Sequence, residues 1–314
     1  MKVTRKERIR DLFSDKIWSI DTKQCSKLYA EAVRLIRLTR ITISTFEQNK
    51  MGFQCVALSY FVVMAMVPLI AMMIGMTGSL GLEDNLTEIL YRFFPGNNDF
   101  VGVVIDKAND MVEGAKKGGV ALISSLTFIW AVIWMMFQVE RVFNNVWGIT
   151  KIPRKLYKRF GFYILVLILS PFLVILFGTG ITFYSNITNL VGLDLSDLKI
   201  LPKFLGYLGF YIITTFTLSA MYTFIPATRV KYRHALKSAA IAALVFIAFQ
   251  YLYLETQVFV GRLSFAYGVI AAIPLFLTWL NFSWWIIIYG AELTYGYHNI
   301  EKYNTHDWDS DKNI

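Results

Sequence analysis

The stretch GGVALISSLTFIWAVIWMMFQVERVFNNVWGI, residues 118–149, decides the fold. From Gly118 to Val139 it carries no charge, and then it sets Glu140, Arg141, Asn144 and Asn145 close together. About 20 apolar residues in a helix cross a hydrocarbon core, with a range of roughly 17–25. The run therefore reads as a membrane span that ends in a polar cluster. Working outward, uncharged runs recur at Met51–Leu82, Phe160–Leu193, Phe204–Thr228, Ser238–Leu254 and Leu263–Ala291. The fifth of the six is the shortest, and its helix is expected to continue past Glu255. A chain that is 56% hydrophobic and 16% aromatic, with a mean hydropathy of +0.49, matches this reading and not the profile of a soluble domain. The expected fold is all-α: a polytopic integral membrane protein with six transmembrane helices.

The charge pattern orients it. Twelve cations precede the first run: Lys2, Arg5, Lys6, Arg8, Arg10, Lys16, Lys23, Lys27, Arg34, Arg37, Arg40 and Lys50. The connection after span two adds Lys151, Arg154, Lys155, Lys158 and Arg159, and that after span four adds Arg229, Lys231, Arg233 and Lys237. The alternate connections are poor in cations, and in the first of them acids outnumber bases. The positive-inside rule then places both termini in the cytoplasm, and an even span number puts them on one side as well. The formal charge of +9 is accounted for by topology and by anionic inner-leaflet lipid, so nucleic acid is not an expected partner. No apolar signal segment precedes span one, and a multi-pass protein of a bacterial inner membrane is expected. Cys25 and Cys55 lack metal-site spacing and read as free thiols.

Three segments follow. Residues 1–50 form a cytoplasmic N-terminal segment, 51–297 the six-span membrane domain, and 298–314 a cytoplasmic acidic tail. Between Gln24 and Phe46 the apolar positions Leu28, Ala32, Leu35, Ile36, Ile43 and Phe46 recur at helical spacing, with Lys27, Arg34, Arg37 and Arg40 on other faces. Two readings stand: an amphipathic helix at the membrane interface, or a helix packed on the cytoplasmic loops. Between spans one and two, LTEILYRFF and FVGVVIDKANDMVEGA flank the turn signal PGNN, which predicts a helical extracytoplasmic cap over Glu83–Lys117. Ser238, Ala239, Ala242 and Ala243, and likewise Gly75 with Ser79, have the small-xxx-small spacing of close helix packing or of a path lined by small residues.

Polar groups inside spans are candidate functional residues by default. Glu140 and Arg141 end span two, Glu292 ends span six, and Tyr60, Arg159, Tyr222, Pro226, His234 and Lys237 fall at the same cytoplasmic level. Glu140, Asn144 and Trp147 share one helical face, while Gln138, Arg141 and Asn145 form another about 100° away, so that one face can look into the bundle while the other meets headgroups. Asn281, Trp285, Ile288 and Glu292 make an inward stripe. An Arg141 or Arg159 partner for Glu292 or Glu140 would satisfy these charges. The layer formed by Tyr60, Glu140, Arg141, Asn144, Arg159, Tyr222, Lys237, Asn281 and Glu292 is thus either a substrate or headgroup site or an ion-paired seal. As a site, Arg141, Arg159 and Lys237 would bind phosphate-like groups, and Glu140 and Glu292 would orient them or exchange protons. Glu255 and Arg262 are placed to pair across the connection between spans five and six. His234, His298 and His306 stand without HExxH, Walker A, GxSxG or GxGxxG contexts, so no catalytic residue, metal or cofactor is expected. The tail from His306 to Asp311 reads as solvated.

ALSYFVVMAMVPL (57–69), VERVFNNVWGI (139–149), MYTFIPATRVKYRHALKSA (221–239) and YGVIAAIPLFLTWLNFSWWIIIYGAEL (267–293) resemble the YihY/virulence factor BrkB family of bacterial inner-membrane proteins. The resemblance covers Leu38–Tyr297 and is most specific in the last motif, where IPLF, the tryptophans and GAEL occur in order. It implies six membrane helices and a role in handling lipids or other envelope components. The family's older ribonuclease label finds no metal cluster or acid–base pair here. Three readings follow: a transporter or lipid-translocating protein whose partners are the bilayer and anionic or other envelope lipid; a structural scaffold for envelope assembly that acts as a homo-oligomer or with an envelope protein; and, far behind, a membrane ribonuclease.

Overall fold

The computed structural model describes residues 17–18, 26–78, 83–93, 98–117, 120–149, 200–261 and 265–300, together with 157, 159–161, 163–164 and 168. Every described element is a helix. In chain order they are α1 (Lys27–Gln48), α2 (Met51–Gly78), α3 (Glu83–Phe93), α4 (Asn98–Lys117), α5 (Val120–Val146), α6 (Ile200–Phe224), α7 (Tyr232–Gly261) and α8 (Phe265–Asn299). The described residues between 157 and 168 are helical too. The body of span three, Arg262, Cys25, Ser79 and the tail His306–Asp311 lie outside the described residues, as does most of the expected extracytoplasmic loop Asn186–Pro202, whose last three residues are instead the start of α6.

Two groups of helices pack around α8. On one side α6, α7 and α8 contact one another; on the other α2, α4 and α5 do, with α3 against α2 and α4. Helix α8 joins them through its contacts with α2 and α5, and α1 lies along it as well. Small residues set the close approaches. Ser238, Ala239, Ala242 and Ala243 of α7 are all buried, and a side chain at Gly290 of α8 would lie 2.8 Å from Tyr222 Cζ of α6 and 2.9 Å from Ala242 Cβ. Only glycine lets the three backbones come together there. These four α7 positions are packing positions. A side-chain bond, Trp279 Nε1 to Gln250 Oε1 at 2.9 Å, adds to the α7–α8 contact.

Helices α2 over Met51–Ile74 and α7 over Tyr232–Gln257 are each long and apolar enough to cross a membrane, and Leu208–Phe224 is a shorter apolar helix. Their outer faces are apolar. On α2, Phe53, Val56, Tyr60 and Met64 point outward at helical spacing, as do Leu244, Tyr251, Leu252 and Phe259 on α7. Helix α7 runs past Glu255 to Gly261, as its short apolar run requires.

Helix α4 buries Val101, Val104, Ile105 and Ala108 at i, i+3, i+4 and i+7 and exposes Asp106, Lys107 and Asp110. Its apolar stripe joins Ile70, Ala71, Met73 and Ile74 of α2 in the main core cluster.

Helix α1 presents apolar residues on two sides. Leu28, Leu35 and Ile43 point outward, at 83%, 58% and 45% exposure, whereas Val33, Leu38, Ile41, Thr42 and Thr45 are buried. Val33, Leu38 and Ile41 pack with Ile17, Trp18 and Ile300, and Leu293 and Tyr297 of α8 complete that cluster. Arg37 clamps the segment before α1, donating to the Ile17 carbonyl at 3.0 and 2.6 Å and to that of Trp18 at 3.2 Å. Burial lowers the Arg37 pKa from its usual value. The helix therefore has two apolar faces, one against α8 and one outward.

Candidate functional site

The polar cluster at the end of α5 is held by its own cap. Gly148, at φ 64°, lets the Gly148 and Ile149 amides donate to the carbonyls of Asn145 (2.9 Å) and Asn144 (3.0 Å), which stops the helix there. One turn earlier Glu140 is buried at 3% exposure. Arg159 Nε donates to Glu140 Oε2 at 2.7 Å, and the Tyr163 hydroxyl donates to the same oxygen. The Arg159 guanidinium also lies 4.7 Å from the centre of the Phe137 ring. Phe137, Phe160 and Tyr163 pack edge to face around the pair. An ionised carboxylate away from water requires such a partner.

Asn144, 1% exposed, ties three elements together. Its amide nitrogen donates to the Glu140 carbonyl at 2.8 Å, and its Oδ1 accepts from the Ala227 amide at 2.7 Å. Ala227 lies in the PATR turn between α6 and α7, where Pro226 at the preceding position has no N–H to give. Trp147, a turn further on the same face, packs edge-on against Tyr295 and His298 of α8. The face Glu140–Asn144–Trp147 is thus an interhelix contact face.

Glu292 has different surroundings. It is 0% exposed on α8. Asn49 Nδ2 approaches its Oε1 at 3.4 Å, and its Oε2 has no hydrogen-bond partner. Asn49 follows α1 in a tight turn in which Lys50 adopts φ 50°, a left-handed conformation uncommon for a residue with a side chain. The Asn49 carbonyl accepts from Gln54 Nε2 at 2.8 Å and from Asn145 Nδ2 at 3.4 Å. Asn49 therefore connects α8, α5 and the α1–α2 turn.

The other expected members of the layer separate. Arg141 and Lys237 are exposed; Arg141 pairs with neither acid, because it sits 100° round the helix from Glu140. Tyr60, at 59% exposure, belongs to the outer stripe of α2, while its neighbour Ser59 turns inward and donates to the Cys55 carbonyl. Asn145 is half-buried at the Asn49 junction, where its Nδ2 donates to the Asn49 carbonyl. Asn281 and Trp285 are half-buried, and the stripe becomes fully buried only at Ile288 and Glu292. Tyr222 is buried with its hydroxyl unpartnered against Gly290, and His234 lies 6.0 Å from His298. Among the described residues, no group of three His, Cys, Asp or Glu side chains is placed to hold a metal ion.

Sequence reasoning missed Tyr163, Asn49 and Gln54. Tyr163 had a signal, since it stands four residues after Arg159 on the same helical face. Asn49 had little, because a polar residue just outside a span is ordinary.

Residues 42–314 match the family described as Virulence factor BrkB. The chain is 27% identical over 270 residues to a UPF0761 membrane protein of Chromohalobacter salexigens, covering 82% of this chain and 62% of that one. It is 28% identical over 268 residues to a UPF0761 membrane protein of Pseudomonas aeruginosa, with the same coverages. Against a UPF0761 membrane protein of Haemophilus influenzae, the match is 26% over 257 residues, 79% of this chain and 90% of the other. The chain thus spans less than two thirds of the length of the first two relatives. No solved structure matches it.

Proposed function

Since the chain belongs to the Virulence factor BrkB family and its relatives are membrane proteins, we propose that it is a six-span protein of a bacterial inner membrane that binds and moves anionic envelope lipid. In this reading both termini are cytoplasmic, α3 and α4 form the extracytoplasmic cap, and α1 lies at the inner interface. The observation that carries it is a segregation of charge at one end of the bundle. Glu140 and Glu292 are buried there, whereas Arg34, Lys50, Arg141, Arg229, Lys231, Arg233 and Lys237 are exposed. A rim of free cations beside outward apolar faces suits a phosphate headgroup with its chains alongside. Arg141 and Lys237 recruit the headgroup, and Arg159, held by Glu140, waits behind them.

The test is reconstitution in vesicles of phosphatidylethanolamine with labelled phosphatidylglycerol. Label should cross faster than in protein-free vesicles, and Arg141→Ala with Lys237→Ala should slow it several-fold without unfolding the protein. Equal rates with and without protein sink the reading.

The buried Glu140–Arg159 pair favours a second reading, a scaffold for envelope assembly, because a paired layer closes the bundle. Deleting Glu83–Lys117 would then abolish partner capture, while lipid movement, if present, continues.

A further inference from the structure

Two carboxylates are buried at this end of the bundle, and only Glu140 has a cation. Glu292 receives one long amide contact at Oε1 and nothing at Oε2. The side chains that bear on it are Thr45 of α1 and Asn49. The Thr45 hydroxyl already donates to the Ile41 carbonyl at 2.8 Å, so only its lone pairs remain to be offered. A carboxylate cannot use a lone pair, whereas a carboxylic acid can donate to one.

The elements packed on this part of α8 bring no neutralising charge to it. On α1 and its turn, Glu47 and Lys50 are exposed, Arg40 is half-buried and Arg37 holds the Ile17 carbonyl. On α2, Cys55 is a buried thiol. On α5, Glu140 is committed to Arg159. On α7, Arg233 and Lys237 are exposed and His234 lies against Tyr297 and His298, while α6 brings the neutral Tyr222 against Gly290. On α8 itself, Tyr289 stacks on Phe46 and His298 lies against Trp147. An ionised carboxylate in such a place neutralises itself or draws in a cation.

We propose that Glu292 is a proton-binding site, occupied by its proton in this closed arrangement, and that proton release loosens the α1–α2 turn through Asn49. The step balances simply: the Glu292 O–H bond breaks, the proton leaves to water, and the carboxylate keeps the electron pair. The resulting anion needs donors, and Asn49 is the side chain placed to turn toward it. That movement draws on the Asn49 backbone, whose carbonyl holds Gln54 and Asn145. Proton uptake at Glu292 would then supply the energy coupling of lipid movement; this last use, and only this, rests on the function proposed above.

The experiment is infrared difference spectroscopy of the full chain in nanodiscs of phosphatidylethanolamine and phosphatidylglycerol, titrated through the neutral range. A protonated-carboxyl band should be present at neutral pH, lost in Glu292→Gln and shifted in Asn49→Ala. The second variant keeps the test open where the first fails to fold. Absence of the band in the wild type, or its persistence in Glu292→Gln, overturns the proposal. Because the band is read without lipid movement, its failure and that of the transport reading are separable.

Discussion

Glu140 on α5 and Glu292 on α8 lie at 3% and 0% exposure at the same end of the bundle, yet one is enclosed by donors and the other is nearly bare. Glu140 has a guanidinium at 2.7 Å, a tyrosine hydroxyl and an aromatic wall. Glu292 has one amide at 3.4 Å and an oxygen without a partner. Burial alone therefore does not assign a role to a carboxyl group in a membrane protein. The donor set decides whether it is a fixed charge that holds helices or a group whose charge can change.

The largest effect expected from breaking this contrast comes from Arg159→Met. It removes the cation and leaves Glu140 buried and uncompensated, a loss of about 3–5 kcal/mol by analogy with other broken buried pairs. Thermal unfolding in detergent should register it as a much lower midpoint. Arg159→Met combined with Glu140→Leu should recover most of the loss, since replacing both partners by apolar groups is often neutral or stabilising. If the single and double variants melt together, the pair does not hold the bundle.

Next in size is Asn144→Ala, which leaves the Ala227 amide without its 2.7 Å acceptor. An orphaned buried donor costs about 1–3 kcal/mol. The α6–α7 turn should open first, so hydrogen exchange at Ala227 and its neighbours should accelerate more than in α5. Uniform acceleration along the chain would show that Asn144 supports α5 itself and not the link between helices.

How much of this was legible in the sequence follows from what each signal measures. Uncharged runs located the helices α2, α5, α6, α7 and α8, because a long apolar run marks a helix whatever its neighbours. The polar ends of α5 and α8 were visible for the same reason. Partner choice was visible only in part: Arg141, the next residue after Glu140, points about 100° away from it on the helix, but that Arg159 is the partner depends on how its helix packs against α5. Helix α1 shows a different limit. Periodicity marks Leu28, Leu35 and Ile43 as a face, and they do form one, but it points outward while Leu38 and Ile41 meet α8. In a membrane protein lipid and core both accept apolar residues, so hydrophobic spacing cannot tell inside from outside.

The smallest effect sharpens the comparison most, because it concerns a buried polar group that carries no charge in either role. Tyr222 is 1% exposed, its ring lies near Phe143, and its hydroxyl is buried against Gly290 without a hydrogen-bond partner. Tyr222→Phe removes only that oxygen. Since no bond is lost and an unsatisfied group leaves the interior, the midpoint should stay within about 1 kcal/mol of wild type or rise slightly. Tyr163→Phe, made beside it, takes a donor from Glu140 and should cost more, about 1.5–3 kcal/mol for a bond to a charged group. Lipid movement in the same vesicles then separates the two meanings of the Tyr222 hydroxyl. Unchanged movement makes it a packing remnant of the α6–α8 contact, and slowed movement at unchanged stability makes it a group that meets the headgroup when the bundle opens.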